Sequence, residues 1–578
     1  VSLLLLAGLA RLAVAQDTPA PDTPVELGPA PPVAKSPPRL AIAGTQDFRF
    51  RYYQSDALLP DFEDRPRLLD HIEAVERLDL TARYGQFQLA LRGDAAALFL
   101  NRYRLDGELV HENVLYRTGV RSPFPDALIT LEKVSLTHRT GRSELTLGDS
   151  YAAFGRGYAL NLAKNTEVDV DTSLRGLQGR VSVGNWDLQA VSGLTNPQQI
   201  ALENPNVGIE PDRYHAITGA RVSRYGLGPL NLGVHGAMFQ FRHAADDLAA
   251  PLDAWTRPVD AATWGGSVQA LGIGGVDLYA EADGTTYLTD GFGVDGGWAG
   301  YLSATAYPGK AVVLVEARRA FHAEAINTYA RLNDYEVVSG PSLEYDRVIT
   351  EDSAAAVDSN DIVGGRVRVD LALGGVSPDG EFTTFSPYLS VATFRDVDLG
   401  GLHFNETPET IVHPIVGVQY IRHEFTVLAN AGARVDVRDG DGGADRMQHL
   451  DLAMEFPLSG PVSLAIDPTF MAFQWGDNGS AELQQHDFVD VANALAVKVG
   501  SPWAFILYTD YSDNPLVDSV GNLTDTLYAA GEAQWKPGPA TTLKVFYGAY
   551  RAGIRCAGGQ CRKMPGFEGA KLSFSTTF

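Results

Sequence analysis

The sequence predicts an all-β fold: a single transmembrane antiparallel β-barrel of about 24 strands, within a range of roughly 22 to 26. Three observations lead there. Apolar and polar side chains alternate in many separate segments, short Gly- and Pro-rich turns alternate with long polar connections, and the last ten residues alternate strictly up to a terminal aromatic. Composition agrees. With 59 Gly, 23 Tyr, 25 Phe and 20% charged residues, yet a mean hydropathy of −0.08, the chain fits neither a bundle of membrane helices nor an ordinary soluble enzyme. A barrel keeps its apolar residues on every second position, so hydropathy averages out while the membrane is still crossed.

Residues 1–15 read as a signal peptide. The apolar run 2–14 closes on Ala13-Val14-Ala15, a small-residue cleavage pattern, and it is shorter than the roughly 20 residues a spanning helix needs. Residues 16–38 hold eight prolines between Pro19 and Pro38, a density that favours extended chain over packed structure. This segment is expected to be a periplasmic tether. Within it, Asp22-Thr23-Pro24-Val25-Glu26-Leu27-Gly28 resembles the energy-coupling box of TonB-dependent transporters, but strands begin too soon afterwards to leave room for a plug domain.

The barrel is assigned to 39–578. In Arg77-Leu78-Asp79-Leu80-Thr81-Ala82-Arg83 the polar positions are odd, and in Gln86-Phe87-Gln88-Leu89-Ala90-Leu91-Arg92 they are even, with Tyr84-Gly85 between. The pattern returns in Arg366-Val367-Arg368-Val369-Asp370-Leu371 and in Thr426–Asp436, where Arg434 and Asp436 share the polar face. An Arg on the lipid side at mid-bilayer costs about 2–4 kcal/mol, so that face must be wet or paired. Tight turns fall at Tyr84-Gly85, Thr140-Gly141, Gly184-Asn185, Tyr225–Gly228, Gly272–Gly275, Tyr307–Lys310, Arg422–Glu424, Leu458–Gly460, Gly500–Pro502 and Lys536–Pro539, with a looser one at 375–382. Longer connections separate them, which is the asymmetry of periplasmic turns and outer loops.

Diameter grows with strand number, so a barrel of this size leaks unless something narrows it. Two connections are candidates. Residues 151–162 are too apolar and Gly-rich for a solvated loop and read equally as an inward-folded constriction or as a bulged strand end at the rim; on the first reading Tyr151, Phe154, Arg156 and Tyr158 are the expected constriction residues, joined by wall positions Arg366, Arg368, Asp370, Arg434 and Asp436. Residues 322–360 are acidic, a charge run expected either to be a solvated face or to attract cations. Inward positions such as Arg77, Arg92, Arg180, Lys544 and Lys571 predict a wall that is mixed to basic, with weak anion preference.

The stretch Gly148-Asp149-Ser150-Tyr151-Ala152-Ala153-Phe154-Gly155-Arg156-Gly157, followed by Asp171-Thr172-Ser173-Leu174-Arg175-Gly176, resembles an uncharacterised family of bacterial outer-membrane barrel proteins. That family carries a G-x-x-Y-x-x-F-G-x-G stretch and then an Asp-x-Ser-Leu-x-Gly segment. The resemblance spans some thirty residues and implies fold and compartment without an activity.

Chemistry-bearing motifs are sparse. Asp439, Asp441 and Asp445 have carboxylates spaced for calcium but lack the distal Glu of an EF-hand loop, so a polar hairpin loop explains them equally well. Cys556 and Cys561, the only cysteines, are expected to form a disulfide in an oxidising compartment. His215, His235, His322, His413, His449 and His486 lie apart from any nucleophile motif, and no enzymatic activity or cofactor is expected. The net charge of −25 argues against nucleic acid.

Phe574 and Phe578 are read as the assembly signal of the closing strand, recognised by the barrel-assembly machinery. The bilayer and lipopolysaccharide are the expected surroundings, with a periplasmic or lumen-filling protein as a further partner. The sequence thus points to the bacterial outer membrane, and to a channel or transporter for an unidentified solute or polymer. The alternative is a non-conducting scaffold, or a secretion or assembly conduit, whose lumen is filled by its own loops or by a partner.

Overall fold

The computed structural model describes residues 39–54, 67–68, 71–99, 103–105, 108–110, 116–117, 120–121, 127–165, 170–198, 200, 215–240, 260–288, 296–321, 336–338, 362–376, 382–396, 409–423, 425–438, 444–474, 487–513, 527–551, 553–557, 560–564 and 567–578. The expected signal peptide and tether lie outside these residues, as do Asp439, Asp441 and nearly all of the acidic connection 322–360.

Among the described residues there is no helix. One antiparallel sheet contains 26 strands, of which Lys164–Asn165 and Gly375–Val376 are two residues each. The remaining 24 follow one another round a closed barrel. Closure joins the first strand, Ala41–Tyr53, to the last, Phe567–Thr577, in a register that runs from Thr45↔Thr577 to Tyr53↔Gly569. The other edge of the first strand pairs with His71–Tyr84 from Ala41↔Arg83 to Tyr53↔His71. Neither edge is left unpaired, which is what a sheet in hydrocarbon requires, since no water is there to satisfy free N–H and C=O groups.

Side-chain parity assigns the two faces. In Leu230–Gln240, Leu232, Val234 and Met238 are exposed while His235, Ala237 and Phe239 are buried. In Trp503–Ser512, Trp503, Phe505, Leu507 and Tyr511 are exposed. The exposed apolar row faces lipid, and the other row lines the lumen. This places the protein in the bacterial outer membrane, where closed barrels of this kind reside. On the lipid face near the seam, Gln46 and Glu76 satisfy each other through a 2.6 Å hydrogen bond.

Hairpins at one end are tight. Tyr84 pairs with Phe87 and Val183 with Trp186, so Gly85 and Gly184 take the first central position of two-residue turns, with φ near 60°. A Gly-rich connection without a long polar run joins Val276–Tyr287 to Gly296–Ala306. The barrel has the 24 strands that the sequence predicts.

One sector of wall departs from the ladder. Strand Ala127–Arg139 pairs with Ser143–Ser150 only from Ser135↔Gly148 to Arg139↔Glu144. A register shift opposite Arg92 and Gly93 inserts Glu132, so that both Glu132 and Lys133 turn inward and are buried. Opposite them, Gly148 sits at φ 100°, and beyond it the strand leaves its neighbour. Side chains satisfy the exposed edge: Asp149 accepts from the N–H of Val134 at 2.7 Å, and Arg175 and Asn196 each donate to the Glu132 carbonyl at 2.8 Å. Lys133 donates to Ser173 at 2.9 Å. Ser173 continues the row of Leu177 and Val181, which face lipid, yet it is fully covered. The inner face of Ala127–Val134 therefore laps over the outer face of the strand beginning at Val170.

A Cβ at Gly148 would strike the Val134 carbonyl, and the backbone there is one that side chains rarely adopt. Gly148→Ala is therefore expected to destabilise the folded barrel by about 1–3 kcal/mol. Urea unfolding, followed by the mobility shift between folded and heat-denatured protein on SDS gels, measures this. An unchanged midpoint would contradict the role given to the bulge.

Candidate luminal site

The segment after Ser150 turns into the barrel instead of out of it. Ala152–Phe154 and Leu160–Leu162 form a small hairpin, and the left-handed Gly155 and Gly157 allow its tight tip. Its apolar side chains explain the direction. Phe154, Leu160 and Leu162 bury against Leu174, Val191, Ile217 and Phe239 of the inner wall. Further along, Tyr158 joins Tyr301, Ile362, Phe394 and Ile411 from strands farther round the barrel. Backbone polarity is met as well: the Thr263 hydroxyl donates to the Ala159 carbonyl at 2.9 Å. Residues 151–165 thus lie across one side of the lumen.

The tip is anchored electrostatically. The N–H of Arg156 lies 2.9 Å from both carboxylate oxygens of Glu281. Its guanidinium lies over the Tyr301 ring at 4.1 Å and nearer the edge of cation–π range over Tyr279 at 6.0 Å. Tyr301 donates to Glu316, which also accepts from Arg366 at 2.8 Å. A chain of contacts therefore links Arg156 in the segment to Arg366 in the wall. Arg318 stacks over Tyr158 at 5.3 Å.

The base of the segment is tied to a second network. Tyr151 donates to Asp171 at 2.7 Å, and burial, followed by that carboxylate, holds its phenol above its ordinary pKa. Asp171 also meets Arg92 at 2.6 Å. Arg92 and Arg77 share Asp94, each at 3.0 Å, and Arg77 donates to the Ile200 carbonyl at 2.7 Å. Gln198 accepts from Arg92 at 2.7 Å. These contacts carry the chain on both sides of the lapped sector into the lumen.

The structure brings Tyr151, Phe154, Arg156, Tyr158 and Arg366 into this one assembly. It leaves the others apart. Arg368 pairs with Asp370 at 2.9 Å and lies 4.3 Å from the Tyr388 ring, whereas Arg434 pairs with Asp436 at 2.8 Å on another part of the wall. Asp445 stands opposite Asp436 in the register. Phe578 is clipped to the first strand by two 2.9 Å hydrogen bonds between its backbone and that of Gly44, and Phe574 faces Phe48 and Leu543 across its neighbours. Cys556 and Cys561 occupy directly opposed positions of a short hairpin, to which Glu336–Val338 of the acidic connection adds a third strand.

On the wall that the sequence reads as mixed to basic, the arginines stand in ion pairs. Arg77, Arg92, Arg180, Arg366, Arg368 and Arg434 each meet a carboxylate. An unpaired guanidinium on a buried inner wall would lose hydration without compensation. Asp94, Asp370 and Asp436 stand two residues from Arg92, Arg368 and Arg434 on the same strand face, where alternation already places them, whereas the pairs Arg77–Asp94, Arg180–Asp187 and Arg366–Glu316 cross between strands and depend on register.

Sequence reasoning also missed a cluster built across three strands. The register aligns His235, Gly265 and Asp283 in one row. Because Gly265 has no side chain, His235 Nε2 reaches Asp283 Oδ1 at 2.6 Å over it. Glu281, two positions along, completes a buried group whose donor atoms lie within 4.8 Å of one another.

Residues 485–578 match the model of a family described as "Family of unknown function (DUF6029)". No curated protein matches. Several solved structures are similar. The outer membrane protein opdK from Pseudomonas aeruginosa is 14% identical, with 72% of this chain and 98% of that one covered at a TM-score of 0.35. The siderophore receptor PirA from Pseudomonas aeruginosa is 9% identical, with 94% and 81% covered at 0.43. The E. coli P pilus tip assembly intermediate PapC-PapD-PapK-PapG gives 12% identity, 95% and 62% coverage, and 0.46. These likenesses are too distant to carry any property of those proteins to this chain.

Asp94 has a side chain with no solvent exposure and serves two guanidinium groups. Asp94→Asn is expected to destabilise the barrel by about 3 kcal/mol or more, because it leaves buried positive charge uncompensated. Thermal or urea unfolding in detergent checks this; a loss below about 1 kcal/mol would show that the network is dispensable.

Proposed function

We propose that the protein is an outer-membrane channel or transporter whose passage is the part of the lumen left beside residues 151–165. One observation carries this reading: an apolar hairpin of the chain itself packs on the inner wall, so residues of the barrel's own chain narrow its wide lumen. The lining supports passage of small polar solutes. It is rich in charge, but the charges are paired, so selectivity between anions and cations is expected to be weak. Tyr151, Phe154, Arg156 and Tyr158 would set the constriction.

On the outer side we propose a Cys556–Cys561 disulfide. Directly opposed residues of an antiparallel pair have Cα atoms about 4.5–5.5 Å apart, within the span a disulfide bridges. Phe574 and Phe578 remain the proposed assembly signal.

Planar-bilayer recording of the purified chain and of a variant lacking 152–162 tests the reading. The intact chain should give small, steady conductance and the deletion a several-fold larger one. Equal conductance in the two would remove the constriction from this segment, and an intact chain that conducts nothing under any condition would remove the channel itself.

A further inference from the structure

We propose that His235, Glu281 and Asp283 form a binding site for a divalent transition cation of the zinc class, which fastens the luminal segment to the barrel wall. The three side chains are buried and contribute one imidazole nitrogen and two carboxylates from strands Leu230–Gln240 and Val276–Tyr287, which flank strand Asp260–Ile273. Two carboxylates so close together in a buried site are unfavourable unless something positive neutralises them. The guanidinium of Arg156 is drawn away onto the Tyr301 ring, and only its backbone N–H turns to Glu281. Asp283 Oδ2 and His235 Nδ1 are buried with no hydrogen-bond partner. Glu281 also accepts from the Tyr279 hydroxyl, so the ligand capacity that the protein leaves unused lies on Asp283 and His235.

The donor set selects the ion. One nitrogen and two oxygens suit zinc and its neighbours, and three protein ligands leave a fourth position open. Calcium is disfavoured, because it takes six to eight oxygen ligands. Bound at about 2.0–2.2 Å from a common centre, the donors need only a small closing movement from their present spacing. Space for the cluster is made by two glycines. A Cβ at Gly265 would strike Asp283, and one at Gly155 would strike Glu281. Because Glu281 also holds the Arg156 N–H, an ion at this site would secure the tip of 151–165.

The test is zinc titration of the folded, chelator-treated full chain by calorimetry, with bound metal counted by elemental analysis. It reads the site whether or not the barrel conducts. One zinc per chain is expected, with no comparable heat from calcium or magnesium. Asp283→Asn and His235→Gln should each weaken binding by at least about tenfold, while His413→Gln, in a separate histidine pair, should bind as the parent does. Zinc should also slow proteolysis within 151–165 in the parent and not in Asp283→Asn. The gel-mobility shift identifies folded variants, and either substitution suffices if the other fails to fold. Absence of zinc binding by the folded parent would overturn the proposal and leave a proton-sharing carboxyl pair in its place. Unchanged affinity in the folded variants would overturn it equally.

Discussion

Everything in this structure follows from the need to satisfy backbone N–H and C=O groups where no water can reach them. A sheet meets that need only by closing, and closure fixes the register between Ala41–Tyr53 and Phe567–Thr577. Register fixes parity, and parity decides which side chains meet lipid and which meet the lumen. The lapped sector obeys the same rule by other means. Where the ladder from Ala127–Arg139 stops at Ser135, the carboxylate of Asp149 and the donors of Arg175 and Asn196 replace the missing strand.

The lumen shows how charge and apolar packing divide the work. Arginines on the inner wall are held by carboxylates, some within one strand and some across two, so they brace the wall more than they build a field that would attract ions. The hairpin 152–162 is held by burial of Phe154, Leu160 and Leu162, with a few directional contacts at its tip and base. Hydrophobic burial places it, and the polar contacts fix its register against the wall.

Much of the fold was legible because a strand pattern with period two survives in a single sequence, and glycine and proline mark the turns. Arg77–Arg83 against Gln86–Arg92 and the terminal run to Phe578 announced the barrel directly. The apolar and Gly-rich character of 151–162 set it apart from the outer loops. The rest lay in register, which alternation does not encode. His235 and Asp283 are 48 residues apart, and nothing local says that Gly265 stands between them. The inserted Glu132 left only a faint trace, the change of apolar phase between Leu131 and Leu136.

The lapped sector makes the barrel unequal around its circumference. Elsewhere neighbouring strands are held by ladders of backbone hydrogen bonds whose geometry is set by the main chain. Here, above Ser135, they are joined by side chains with rotatable bonds, and Ile129 and Leu131 lie exposed on the outer surface of the joint. Such a joint gives before a ladder does. Asp171 in the same joint holds both ends of the luminal segment, accepting from Tyr151 at 2.7 Å and meeting Lys164 at 3.8 Å. Lys133 of the lapping strand and Tyr151 at the base of the segment meet on the one carboxylate of Asp171, so displacing that strand would disturb the footing of the segment as well.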